Sequence, residues 1–202
     1  MFQNGCIMRV ESFGLTYELL IAAKCEFLKN GFINESLRQI AKACNVSTNS
    51  IYTKFKDKEG FFDAIIANSA NELMRIYINC TNLARRAIDS NEVINIGDDG
   101  TNDVLRCIYD HFDDFKLIFC CSNGTKYENY FDELAEIEED FYKEFCTKFS
   151  NRKIDDFFIH IICRNGWQLV YDLVSHNKSF SEAINFMNDV TLFNHYGWMK
   201  VL

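Results

Sequence analysis

A chain of 202 residues that is 48% hydrophobic holds enough apolar material for one good core and a small satellite domain, while its formal charge of −8 argues at first sight against a nucleic-acid partner. Zero proline beside 19 Phe and 9 Tyr excludes a sheet punctuated by proline turns and points to long helices with aromatic cores. No run of about 18 apolar residues occurs and the opening MFQNGCIMRV lacks an apolar signal core, so neither a membrane span nor secretion is supported and the cytoplasm is expected.

In chain order, YELLIAAKCEFLKNGF predicts a helix with Leu20, Ala23 and Phe27 on one face, ending at Gly31-Phe32. Ser36 opens a second helix over 37–44, with Gln39 at capping-box spacing and an apolar stripe of Leu37, Ile40 and Ala41. Asn45 suits a left-handed turn, Val46 plugs the angle after it, and Ser47 caps a third helix over 48–55. That helix buries Ile51 and Phe55 and turns Thr48, Asn49, Ser50, Thr53 and Lys54 outward, the layout of a helix-turn-helix whose second helix enters a DNA groove. A long helix from about Lys58 carries Phe62, Ile65, Ile66, Leu73 and Ile76 and links this unit to the rest.

The stretch 90–103, SNEVINIGDDGTND, reads as a loop, followed by a helix over 104–121, a break at SNGTK and a helix over 127–149. Helices over 153–175 and 180–198 complete the chain, with a second capping box from Ser179 to Glu182. The first of these is apolar on two sides: Phe158, Ile161, Ile162, Leu169 and Leu173 form one face, and Ile159, Cys163, Gly166, Val170 and Val174 the other, so it needs two partners. Gly166 suits either close helix approach or a ring packed inside the subunit.

The charge divides unevenly. Residues 1–60 hold 8 Lys/Arg against 6 Asp/Glu, a net of +2, and residues 61–202 hold 13 against 23, a net of −10. Only the first part has the electrostatic footprint that phosphate binding requires, and the acidic body is expected to stay off the DNA.

The alanine-rich first helix, Gly31-Phe32, Ile40-Ala41, Val46-Ser47, Tyr52, Phe55 and Lys58-Glu59 together resemble the DNA-binding domain of the tetracycline-repressor (TetR) family over about residues 16–76. Asn45 and Asn49 depart from it, standing where glycines are usual. The resemblance implies an all-α chain: a three-helix helix-turn-helix DNA-binding domain over 1–60, and a larger helical ligand-sensing and dimerisation domain over 61–202. It further implies a homodimer, built from the last two helices with Ile184, Met187, Val190, Thr191 and Trp198. Such a dimer would bind a double-stranded, palindromic operator and respond to a small-molecule effector, most simply as a repressor. An architectural DNA- and protein-binding factor on the same scaffold, without effector, is the alternative.

Ser36, Arg38, Thr48, Asn49, Ser50, Tyr52, Thr53, Lys54 and Lys58 are the candidate DNA-binding residues. Tyr52, Lys54 and Lys58 are read as phosphate contacts and Asn49, Ser50 and Thr53 as base-edge readers. His111, Phe112, Phe115, Phe119, Tyr127, Tyr130, Phe131, Phe141 and Trp167 are the candidate pocket for an apolar or aromatic effector, each ring alone also being a plausible core residue. No enzyme motif occurs and no cofactor or metal is expected. Cys107 with His111, and His160 with Cys163, are two-ligand spacings without a third partner, and Asp110, Asp113 and Asp114 read as a solvated face. The nine cysteines read as small buried hydrophobes of a reducing compartment, with the adjacent Cys120-Cys121 pair the one candidate thiol sensor.

Overall fold

The computed structural model describes residues 4–202, with side chains from residue 16 onward, and all regular elements among them are helices. They are α1 (Asn4–Asn34), α2 (Leu37–Ala43), α3 (Thr48–Phe55), α4 (Lys58–Arg85), α5 (Ser90–Asp110), α6 (Phe112–Cys120), α7 (Tyr130–Phe149), α8 (Asp156–Ser175) and α9 (Phe180–Val201). The expectation drawn from the first ten residues lies outside the described side chains. No helix among the described residues is long and apolar enough to cross a membrane.

Residues 16–60 follow the expected pattern closely. Gly31 (φ 73°, ψ 162°) breaks α1 in a conformation that costs glycine little, and the Phe32 amide freed by the break donates to the Cys121 carbonyl at 2.9 Å. Asn45 is left-handed (φ 54°), and the Val46 amide then reaches back to the Ala41 carbonyl at 3.0 Å, fixing the angle between α2 and α3. Phe27, Phe61 and Phe62 are fully buried beneath this corner, each worth about 2–3 kcal/mol of burial.

Beyond residue 85 the sequence reading needs correction. The stretch 90–103 is the first two thirds of α5, because Asp89 caps it by accepting from the Glu92 amide (2.9 Å) while the Glu92 carboxylate accepts from the Ile88 amide (2.7 Å). Val93, Gly100 and Val104 then form a buried stripe. A Cβ on Gly100 would come within 2.1 Å of the Cys80 sulfur, so this glycine lets α5 lie close on α4. That packing outweighs the roughly 1 kcal/mol a helical glycine costs. The single helix expected over 104–121 is split at His111 (φ −125°, ψ 40°) into α5 and α6.

One apolar core runs without interruption from Phe27 and Ile51 through Phe62, Ile108 and Phe115 to Trp167 and Val174, so packing is continuous across residue 60. In α8 the face of Ile159, Cys163, Val170 and Val174 is buried inside the subunit, whereas Phe158 and Ile161 on the other face are exposed. The α9 residues expected at a dimer interface likewise turn inward: Ile184 and Met187 pack on Leu105 and Leu173, and Trp198 packs on α7. Phe186, Phe193 and Tyr196 hold the outer surface of α9 instead. Gly166 needs no glycine for close approach, since a Cβ there would meet only Glu138 oxygens at 3.9 and 4.0 Å.

Candidate functional site

The outward arc of the helix-turn-helix is built by its caps. Ser36 accepts from the Gln39 amide at 3.2 Å, while the Ser36 amide is taken by Glu35 rather than Gln39, completing the corner in a different way from a reciprocal capping box. Ser47 accepts from the Ser50 amide at 3.1 Å and its hydroxyl meets that of Ser50 at 2.7 Å. Arg38, Asn49, Ser50, Tyr52, Thr53 and Lys54 are exposed, and Ser36 and Thr48 are half-buried beside them. The structure therefore brings eight of the nine candidate DNA-binding residues to one polar surface with Ile51 buried behind it. Thr53 donates to the Asn49 carbonyl (2.9 Å), and Lys54 reaches the hydroxyl of Thr16 on α1.

Lys58 is the exception. Its ammonium donates to the carbonyls of Phe32 (2.7 Å) and Glu35 (3.0 Å) and stands 4.2 Å from the Phe32 ring centre. It closes the exposed carbonyl end of α1 and leaves little donor capacity for a phosphate. Glu35, buried beside it, accepts from Asn30 and from the Ser36 amide. Sequence reading missed Glu35; a lone acid between Asn34 and Ser36 carries no periodic signal.

Between α3 and α4 the chain makes a tight turn. Lys56 has φ 71° and ψ −55°, and Asp57 donates to the Phe55 carbonyl at 2.9 Å, a strained γ-turn for a non-glycine residue. Gly60 lies over it, where a Cβ would meet the Phe55 carbonyl oxygen at 2.2 Å.

Besides the Phe32–Cys121 hydrogen bond, polar side chains tie the helix-turn-helix unit to the body at two places. Asp114 of α6, buried, takes the ammonium of Lys24 from α1 and the hydroxyl of Ser69 from α4 at 2.6 Å. It was read as part of a solvated acidic face, but the break at His111 rotates it inward. The turn after α6 supplies the second tie: Tyr127 donates to Asp63 at 2.5 Å, Lys126 pairs with the same carboxylate at 2.6 Å, and the Lys126 amide donates to Glu59 at 3.1 Å. These donors hold the Asp63 carboxyl below its usual pKa against the opposing effect of burial, and the Tyr127 hydroxyl is pushed well above its own by burial and by that carboxylate.

A cavity of about 400 Å³ opens among α4, α5, α7, α8 and α9. Of the nine residues expected to line an effector pocket, Phe141 and Trp167 do so. Phe115, Tyr127 and Tyr130 are buried core, with the Tyr130 hydroxyl on the Ala70 carbonyl at 2.6 Å; Phe112, Phe119 and Phe131 pack against that core; His111 is exposed beside Glu72. The wall is made instead by Tyr77, Leu105, Tyr142 and Trp198 with Glu138, Asp98 and His195 as its polar groups. One signal could have located it: Glu138 stands in the inward stripe of α7 between Leu134 and Phe141, where an apolar residue is expected.

The thiols are not activated. Burial raises the pKa of both Cys120 and Cys121, and that of Cys107 to about 11. Among the described residues no three His, Cys, Asp or Glu side chains gather as metal ligands, and His160 pairs with Glu139 at 2.7 Å rather than with Cys163.

A polar recognition helix held at a fixed angle by a left-handed turn, on an all-helical body with a lined cavity, defines a helix-turn-helix DNA-binding protein. Residues 19–65 match the family model of bacterial regulatory proteins, tetR family, which identifies this segment as a TetR-type DNA-binding domain. No curated protein matches the chain in sequence. Several solved structures share its fold. A Clostridium perfringens protein proposed as a fatty acid metabolism regulator aligns with a TM-score of 0.58 at 19% identity, over 87% of this chain and 95% of its own. NalD of Pseudomonas aeruginosa, the secondary repressor of the MexAB-OprM multidrug efflux pump, aligns at 0.55 with 15% identity over 89% and 96%. The fatty acid degradation regulator FadR of Bacillus halodurans aligns at 0.51 with 17% identity over 88% and 97%.

Proposed function

We propose that this regulator is a homodimeric repressor that leaves a palindromic operator when a small apolar or aromatic effector enters the cavity. The carrying observation is the placement of that cavity. It touches α4, the helix that begins in the DNA-binding unit, and α5, which lies close on α4 at Gly100. An effector that fits one arrangement of α4 and α5 better than another shifts the population of reader spacings, and its differential affinity supplies the coupling. Lys24 and Ser69 on Asp114, which join α1 and α4 to the body, and the 126–127 turn, which joins α4 to it, transmit the shift. Residues 1–60 then act as the reader and 61–202 as sensor and dimerisation body, although their core is shared.

The dimer is proposed to form through the outer faces of α8 and α9, where Phe158, Ile161, Phe186 and Phe193 are exposed and Gly197 faces open space. Phe193→Glu is expected to release monomers in sedimentation and to weaken DNA binding. A Phe193→Glu protein that remains dimeric would place the interface elsewhere. The operator is obtained by selecting DNA from a random pool with the purified protein. Two inverted half-sites are expected, and Asn49→Ala should relax base preference at one symmetric pair of positions, at about 1–3 kcal/mol for a lost good contact. Recovery of asymmetric, unrelated sequences would favour the architectural alternative. The cytoplasm is the matching location.

A further inference from the structure

The cavity wall is electrically lopsided. It contains two carboxylates, Glu138 and Asp98, and one imidazole, and among the described residues lining it there is no Lys or Arg. Asp98 is matched by His195 at 3.0 Å. Glu138 has neutral company: the groups that bear on its carboxyl through hydrogen bonding are the Tyr77 hydroxyl and the Trp167 indole. The indole nitrogen nevertheless completes no hydrogen bond within the protein, although Trp167 is only 4% exposed. A carboxyl without a cationic partner and the ring of Trp167 thus line one cavity.

Aromatic rings surround them. Tyr77 meets Trp167 edge to face with centroids 5.1 Å apart, and Tyr142 stacks on Trp198 at 4.9 Å. Ring faces carry negative potential and attract organic cations most strongly where water is excluded. A carboxyl among rings is favourable for a cation, whereas a carboxylate or phosphate would find no Lys or Arg in the wall to neutralise it.

We propose that the cavity takes an amphiphilic organic cation, an amine or quaternary ammonium with an apolar body, whose charged centre lies on Glu138 among the rings of Tyr77, Tyr142 and Trp167. This rests on the reading of the cavity as the effector site and narrows it to one charge class. Burial raises the Glu138 pKa from its usual 4.5 to about 8, so near pH 7 the empty cavity holds a mostly neutral acid. The other titratable groups facing it are Tyr77 from α4, Tyr142 on α7 and Cys163 from α8, each pushed upward with Glu138 among the causes. The Asp98–His195 pair of α5 and α9 shares the cavity. An arriving cation favours the carboxylate, so the Glu138 proton leaves to solvent as the ligand binds.

Both tryptophans of the chain line the cavity, so intrinsic fluorescence reports its occupancy directly. The probes are decyltrimethylammonium, decanol and decanoate, matched in chain length and differing in charge. The cation is expected to bind at least about tenfold more tightly than the alcohol, and decanoate most weakly. Glu138→Gln should abolish that preference while leaving decanol affinity unchanged. Calorimetry near pH 7 in two buffers of different ionisation enthalpy should show proton release with the wild type and none with the variant. Equal binding of cation and alcohol, or tighter binding of decanoate, in both proteins overturns the cation assignment and leaves the effector cavity standing. Failure of all three probes to perturb either tryptophan overturns both readings.

Discussion

Asp114 and Glu138 are both carboxyls enclosed by helices, the first where α6 crosses α1 and α4, the second in the cavity wall. Asp114 is matched by an ammonium and a hydroxyl; Glu138 is faced by a phenol and an unsatisfied indole. The joint proposed to transmit motion has its charge neutralised inside the chain, which makes it expensive to break. The cavity keeps its charge unmatched, which leaves interaction free energy for a ligand to realise. An acid at an enclosed position therefore says little by itself about role; its partners decide.

The largest test of that contrast lies at the joint. Lys24→Met leaves Asp114 without its cation and should cost about 3 kcal/mol, the low end for a broken buried pair because the lysine is partly open to water. Denaturant unfolding measures it, and Lys24→Met with Asp114→Leu should recover most of the loss. A cost below about 1 kcal/mol would mean that the joint is held by packing alone.

Lys58→Ala comes next. Losing an ammonium shared by the Phe32 and Glu35 carbonyls should cost about 2 kcal/mol, whereas the salt dependence of DNA binding by the folded variant should stay near that of the wild type. A shallower salt slope with unchanged stability would restore the phosphate role that sequence suggested.

The last test is at Glu138 and depends on pH. Between its usual 4.5 and about 8 the native state binds more protons than the unfolded state at this group, so its contribution to stability is fully present below about pH 4.5 and is lost as pH rises through 8. Glu138→Gln should remove that decline, giving a protein close to wild type at pH 5 and more stable at pH 9. Melting temperatures of the two proteins across this range check the sign, and parallel curves would show that the group titrates normally.

Sequence was most legible where function is local. Ser36, Asn45, Ser47 and the outward residues of α3 lie within about five turns of helix, so cap chemistry, a left-handed turn and 3.6-residue periodicity suffice to place them. The capping box at Ser179 was readable for the same reason. The α5 helix was misread because Gly100, which looks like a loop residue, is there to admit α4, a neighbour that local pattern does not reveal.

The cavity illustrates the limit from the other side. Its wall draws on five helices from Tyr77 to Met199, and which ring faces the void and which fills the core depends on how those helices rotate against one another. Composition and periodicity alone determined an all-helical chain, the helix-turn-helix and its polar arc. Only the tertiary structure decided that Lys58 closes a helix end, that Val170 is core while Phe193 is surface, and that Glu138 stands unmatched beside Trp167. Each of these turns on contacts between residues distant in the chain, set by side-chain packing across helix interfaces rather than by the local preferences of the backbone.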